Sequence, residues 1–431
     1  MRPDPLPYEP RNDMNESTKS VSSSDHPLER WSETIPFTGI RSHEVGSLAD
    51  KARRIDQAAA PIRVAILSDA EPDRNGVGSY YADLVMQLRD HVDSAVLFHP
   101  GNQASPGYRY LSAPLPGDRT QRVSIPKPAH LWRAIRQFRP TVIIVPTPGP
   151  FGIAGLLIAR RMGIPLIVGF HTHYEALATL YWQNRFGVVC QRYLNWSNRL
   201  LFRHGAAVLA NSPDMLRQAV TGGARTATLM GTSVPDDFVR TAITPVNPVV
   251  QRVLFAGRLA DEKNLPDVLD AARKHPQIRF TIAGEGPQRS LVEQAARELS
   301  NLDYLGWVAR TELRGLMDEH DVLLLPSKVE SFGTVALEGM ARGRLVIVSA
   351  TCGIADWPQL ARALFIVADD ETPSRTLERL CALSPEVRQA RASLAREQAV
   401  ELNDWNIGSW MSTFNTVQSE SAAMLPAMLV A

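Results

Sequence analysis

DVLLLPSKVESFGTVALEGMARG, Asp321 to Gly343, reads as a buried strand, a loop and a helix in succession. Asp321 to Ser327 is nearly continuously apolar, as a strand covered on both faces is, and GTVALEGMA has helical composition. Glu330 and Glu338 therefore straddle a strand-loop-helix turn. Gly333, lacking a Cβ, lets the backbone approach a ligand, and the free N–H groups of Thr334 and Val335 at the helix start point where an anion would sit. The pattern is a phosphate site between two carboxylates that accept hydrogen bonds from hydroxyls. Such a site suits a sugar carried on a nucleoside diphosphate. Standing alone, two glutamates on and before a surface helix are usually solvated.

Two other strand ends supply the context. RVLFAGRLADEKN reads as a strand at Val253 to Phe255, then Gly257 and Arg258, then a loop reaching Lys263. That spacing brings Arg258 and Lys263 to the carboxyl end of a parallel strand, the edge where open α/β sheets bind ligands. Two cations suit a diphosphate, Arg through its planar fork of donors and Lys as a mobile point charge. RFTIAGEGP ends a further strand in Gly284, Glu285, Gly286 and Pro287, with a helix expected from about Gln288. Three strand ends thus deliver glycine, positive charge and carboxylate to one edge.

At this point the chain resembles the retaining glycosyltransferases of family 4, which have the GT-B fold of two Rossmann-like doubly wound α/β domains facing a central cleft. The resemblance runs from about Ile62 to Phe414 and rests on GRLADEKN, AGEGP, YLGWV, the glutamate-pair segment, VPTPGPFG and FHTHY. It implies that Arg258 and Lys263 bind the donor diphosphate, Glu330 contacts the donor sugar's hydroxyls and Glu338 holds the ribose. The backbone from Phe332 through Gly333 and Thr334 to Val335 would face sugar and phosphate, beside Gly257, Gly284 and Gly286. Trp307 and Val308 would lie along the base. His171 would lie beside the donor sugar, contributing through its backbone or ring. Asn75, Gly76, Val77 and Gly78 look like the family's glycine loop near phosphates and acceptor. The resemblance also implies front-face attack, with the leaving phosphate helping to accept the acceptor's proton. The chain departs from the family at Leu345, where proline is usual, at Cys352 and Gly353, where paired glycines are common, and at MGTSVPDDF, in place of an Asn-Gly-Val segment. These departures bear on donor-sugar recognition.

No cofactor is expected, the nucleotide entering only as a UDP- or GDP-sugar substrate. The glycine loop fails as a dinucleotide fingerprint, because three glycines over six positions and the following acid are missing. His171 and His173, two apart in an extended segment, could both face the cleft. Without a placed third ligand they do not read as a metal site. Arg258, Lys263 and the helix start at Thr334 would take a metal's place in stabilising the leaving diphosphate, which makes Lys263, Arg258, Glu330 and His171 the candidate catalytic residues.

Length and composition fit a two-domain enzyme. A chain of 431 residues exceeds what one core usually serves. The expected organisation is a disordered extension over 1–60, with helix-forming composition from His43 to Ala60, then an acceptor domain over 61–240. A proline-bearing linker follows at 241–250, a nucleotide-sugar domain at 251–400, and a helix crossing back to the first domain, with a tail, at 401–431. Forty-six Lys and Arg against 45 Asp and Glu leave a net charge of +1, so no field favours nucleic acid. Three unpatterned cysteines argue against a disulfide framework and for a reducing, cytoplasmic compartment. The greasiest stretch, Thr141 to Arg161, is broken by Pro146, Pro148 and Pro150 and does not read as a membrane span.

The acceptor is the least legible element, a lipid or a glycan. Arg185, Arg192 and Arg199 recur at seven-residue intervals among Tyr181, Trp182, Phe186, Tyr193, Trp196 and Phe202, so a basic aromatic helix against anionic headgroups on the inner face of the cell membrane is one reading. Core packing with solvated arginines is the other. Two further functions share the motifs: a nucleotide-sugar 2-epimerase of the same fold and a noncatalytic scaffold.

Overall fold

The computed structural model describes residues 61–72, 76–100, 110–115, 118–172 and 185–428. The expected N-terminal extension, Asn75, His173, Tyr181 and Trp182 lie outside the described residues.

The first half begins with β1 (Arg63–Leu67) and β2 (Ser94–Phe98), followed by the antiparallel pair β3 (Tyr110–Leu115) and β4 (Asp118–Pro126). Then come β5 (Val142–Val145), β6 (Leu166–Phe170), β7 (Ala207–Ala210) and β8 (Ala227–Leu229). Six of these make a parallel sheet in the order β2-β1-β5-β6-β7-β8. Strands β5, β6 and β7 are buried at every position, which is why they read as unbroken apolar runs. The sequence shows no such run for β8, a three-residue edge strand that is nowhere fully buried, or for the polar strand β4. The greasy stretch from Thr141 divides into β5, a short turn and the helix Pro150–Met162. Pro150 sits in the first turn of that helix, where its missing N–H leaves no bond unmade.

The second half repeats the alternation with β9 (Arg252–Ala256), β10 (Arg279–Ala283), β11 (Leu302–Gly306), β12 (Val322–Leu325), β13 (Leu345–Ser349) and β14 (Phe365–Val367). All pairs are parallel, in the order β11-β10-β9-β12-β13-β14. In both sheets the winding reverses beside the first strand, between β1 and β5 and between β9 and β12. Reversal opens a crevice at the strands' carboxyl ends, because successive crossovers leave to opposite sides. The fold is α/β, two doubly wound halves.

One helix joins the halves. It runs from Pro385 to Met428, starting well before the expected boundary at 401. Arg396 near its beginning donates to the carbonyls of Ala341 (2.6 Å) and Val239 (2.7 Å). Further along, Trp410, Phe414 and Val417 enter the first half's core beside Tyr80, Tyr81 and Leu84. Trp410 Nε1 donates to the Tyr80 hydroxyl at 2.9 Å.

The residues between the halves are held from below by two buried charges of the second. Asp321 accepts from the N–H groups of Asn247 (3.0 Å), Gln251 (2.8 Å) and Arg252 (3.1 Å) and from the Asn247 side chain (2.8 Å). Arg342, fully buried, forks onto Asp318 at 2.8 and 2.9 Å and donates to the carbonyls of Phe238, Thr241 and Ala242.

Candidate active site

The carboxyl edge of the second sheet is built from strands whose pairing continues past their ends. Gly257 N–H donates to Ala283 O (3.0 Å), Gly284 N–H to Gly306 O (2.7 Å) and Leu259 N–H to Glu285 O (2.9 Å). At Gly284, with φ 147°, an added Cβ would lie 1.8 Å from the Gly257 carbonyl oxygen. No side chain fits where these two strand ends cross. Gly286 packs against Leu259 in the same corner.

Lys263 ends the short turn Asp261–Lys263 after β9, and its ammonium donates to the Glu330 carboxylate. Burial works against the charge on Lys263, but Glu330, with Glu262 adding, holds the ammonium above its usual range. Arg258 lies alongside, its guanidinium 3.1 Å from Glu262 Oε1. The Glu262 carbonyl accepts from Lys328 N–H at 2.7 Å, clipping the cationic turn to the loop that carries Glu330. On its other side that loop is bonded to the segment after β13: Gly353 N–H donates to Glu330 O (2.9 Å) and Ile354 N–H to Phe332 O (2.7 Å). Burial of Cys352 pushes its thiol well above the ordinary range, so it serves as packing under Gly333.

Gly333 has φ 99° and precedes the helix Thr334–Ala341. A Cβ there would approach Cys352 Sγ to 2.7 Å, so both conformation and space require glycine. Thr334 and Val335 open the helix, and Ala336 N–H makes the first bond back, to Gly333 O at 2.9 Å. Opposite stands the start of the helix Gly76–Gln87 from the first half: a Cβ on Gly76 would be 3.8 Å from Thr334 Oγ1. Two positive helix ends thus meet across the halves. Gly78, in the first turn of that helix, packs on the Glu71 carbonyl.

Glu338 lies one turn beyond Thr334 and is only 4% exposed. Its Oε1 is 2.5 Å from Arg310 NH2, and the same guanidinium reaches Asp83 of the first half. Neither Arg310 nor Asp83 was legible as a site residue, because they stand 227 positions apart and belong to no common local motif.

His171 is 7% exposed and does not open its ring toward solvent. The imidazole turns into an aromatic cluster, 2.7 Å from the Tyr81 hydroxyl and with ring centres 5.2 and 5.3 Å from Tyr80 and Tyr81. Burial lowers its pKa to about 4, so the ring is neutral at physiological pH. The expectation that both imidazoles face the cleft is corrected for this one: β6 ends at Phe170, and the ring completes the core under the first helix. Trp307 is 58% exposed just after β11, with Val308 partly buried beside it.

Asp69 lies two residues past the end of β1, at the first half's crevice. Its carboxylate accepts from the Thr147 hydroxyl (2.6 Å) and from the N–H groups of Phe151 (2.9 Å) and Gly152 (3.4 Å), capping the helix Pro150–Met162. Burial nevertheless raises its pKa to about 6, the hydrogen bonds offsetting only part of the desolvation. A carboxyl whose folded pKa lies above its unfolded value contributes stability at low pH that is lost as pH rises through about 6. Relative to Asp69→Asn, the wild type should therefore gain on the order of 2 kcal/mol between pH 7 and pH 4. Urea unfolding at a series of pH values measures this, and a difference that does not change over that interval would contradict it.

Residues 74–227 match the family described as Glycosyltransferase Family 4, and residues 244–393 match Glycosyl transferases group 1. The chain belongs to the GT-B glycosyltransferases. Over 403 residues this glycosyltransferase is 24% identical to a sulfoquinovosyl transferase of Arabidopsis thaliana, spanning 87% of this chain and 77% of that protein. Over 370 residues it is 25% identical to a GDP-mannose-dependent alpha-mannosyltransferase of Mycobacterium tuberculosis (80% and 94%). Anabaena HepE, solved with UDP and glucose, has the same fold, with a TM-score of 0.58 and 16% identity over 84% of this chain and 99% of that one.

Proposed function

We propose that this glycosyltransferase belongs to the retaining enzymes of family 4 and, without a metal, moves a hexosyl group from a UDP- or GDP-sugar to the hydroxyl of a lipid acceptor at the cytoplasmic membrane face. The observation that carries the donor half of this reading is the meeting of the helix starts at Gly76 and Thr334 at the sheet edge that bears Arg258 and Lys263. As the bond to the anomeric carbon breaks, negative charge grows on the leaving diphosphate. Fixed cations and helix ends aimed at that charge stabilise the transition state more than the ground state, which is what accelerates the reaction. Glu330, held by Lys263, would accept from the sugar's hydroxyls, and Glu338 from the ribose. His171, neutral and bonded to Tyr81, would shape the wall beside the sugar rather than carry charge.

A lipid acceptor is favoured over a glycan by the helix Arg185–His204. Val188, Val189, Tyr193 and Trp196 are exposed on it together with Arg192, Arg199 and Arg203, all within one helical face. Apolar anchors among cations suit an anionic bilayer surface. Among the described residues no helix is long and apolar enough to cross a membrane.

Incubation with UDP- or GDP-hexoses and vesicles containing anionic phospholipid and diacylglycerol tests the reading. A sugar-bearing lipid with the donor's anomeric configuration, seen by NMR of the extracted product, is expected. An inverted product removes the retaining assignment, and transfer only to a soluble glycan removes the lipid. Epimerised donor without transfer would identify a 2-epimerase instead.

A further inference from the structure

We infer that Arg310 is a positioning residue that ties ribose recognition by Glu338 to the first half of the molecule through Asp83; the inference rests on the donor site proposed above. Arg310 opens the helix Arg310–Asp318 that follows β11. Its NH2 meets Glu338 Oε1 at 2.5 Å, and its NH1 donates to Asp83. The two carboxylates come from different halves and sit on the two helices whose starts meet at Gly76 and Thr334. Asp83 is seven residues past Gly76 and Glu338 four past Thr334, so each lies on the same face as the helix start that precedes it. The guanidinium pins the two helices together one to two turns behind the place where their ends meet.

Exposure makes the pin consequential. Arg310 and Asp83 side chains are each 18% exposed and Glu338 is 5%, so these charges are only weakly screened by water. The planar fork offers separate N–H groups to two anions in a fixed geometry, which a lysine does not. With one arm on Asp83, the other takes only Oε1 of Glu338 and leaves Oε2 to accept from a ribose hydroxyl. Without Asp83, both arms can turn onto Glu338, and the guanidinium then competes with the ribose for the same carboxylate. Asp83 would thus govern the selectivity of a site it does not touch. Recognition of the ribose becomes strongest when the two halves are in contact.

Binding of UDP and GDP and of their 2′,3′-dideoxy forms, measured by calorimetry on wild type, Asp83→Asn, Asp83→Glu and Arg310→Lys, tests this. Wild type should prefer the ribose form of whichever nucleotide binds. Asp83→Asn and Arg310→Lys should shrink that preference roughly five- to tenfold. Asp83→Glu should restore most of it, and the thermal midpoints show that each variant is folded. A wild-type preference that Asp83→Asn leaves unchanged overturns the role of Arg310 and spares the donor site. Absence of any ribose preference in the wild type overturns the assignment of Glu338 and this inference with it.

Discussion

Lys263→Ala should lower the turnover of sugar transfer by roughly 10²- to 10³-fold, the usual effect of deleting one fixed donor aimed at developing charge. Two effects add. The ammonium that would neutralise the leaving diphosphate disappears, and Glu330, with which it is paired and which is only 18% exposed, is left as an uncompensated carboxylate beside the incoming phosphates. Like charges in a partly dry site repel strongly. The loss should appear in kcat as well as in donor affinity, because the charge being stabilised is greatest in the transition state. Nucleoside diphosphate release in the presence of acceptor measures it. A variant that keeps its thermal midpoint and turns over within threefold of wild type would remove Lys263 from the reaction.

Arg342→Ala should destabilise the fold by about 3–5 kcal/mol, the range for breaking a buried, hydrogen-bonded ion pair. Arg342 is fully buried, and its guanidinium satisfies both oxygens of Asp318 and three backbone carbonyls, at Phe238, Thr241 and Ala242. Truncation leaves all five acceptors without this donor. Lysine, with a compact ammonium on a single point, should recover only part of the loss. Arg342 also follows directly on the helix Thr334–Ala341, so the segment between the halves and the helix bearing Glu338 are fixed to one side chain. Guanidinium chloride unfolding should show a lower midpoint with an unchanged slope. A loss below 1 kcal/mol would mean the segment holds itself without Arg342.

Local patterns explain what could be read in advance. Strands β5, β6, β7, β9 and β12 are short apolar runs followed at once by glycine, proline or polar residues, and each announces itself within ten residues. The segments around Gly257 to Lys263, Gly284 to Gly286 and Glu330 to Glu338 each carry their own strand end, so their arrival at one edge followed from the parallel winding. Short or polar elements escaped: β8 has three residues and no buried position, and β4 is largely charged and hydroxylated. The long helix began earlier than its aromatic anchors suggested, because Pro385 to Glu401 packs on the second half through small residues such as Ala392, Ala395 and Ala399, which give little periodic contrast.

By itself the sequence determined the doubly wound α/β architecture and the local chemistry at each strand end, because both depend on alternation and spacing within a few residues. Only the tertiary structure decided which way the His171 ring turns, that Glu338 is held by Arg310, and that Arg310 also reaches Asp83 in the other half. Those outcomes are settled by packing between segments 28 to 227 positions apart. A charge or a ring selects its partner from whatever the fold brings within about 3 Å, and over such separations no local periodicity records that choice.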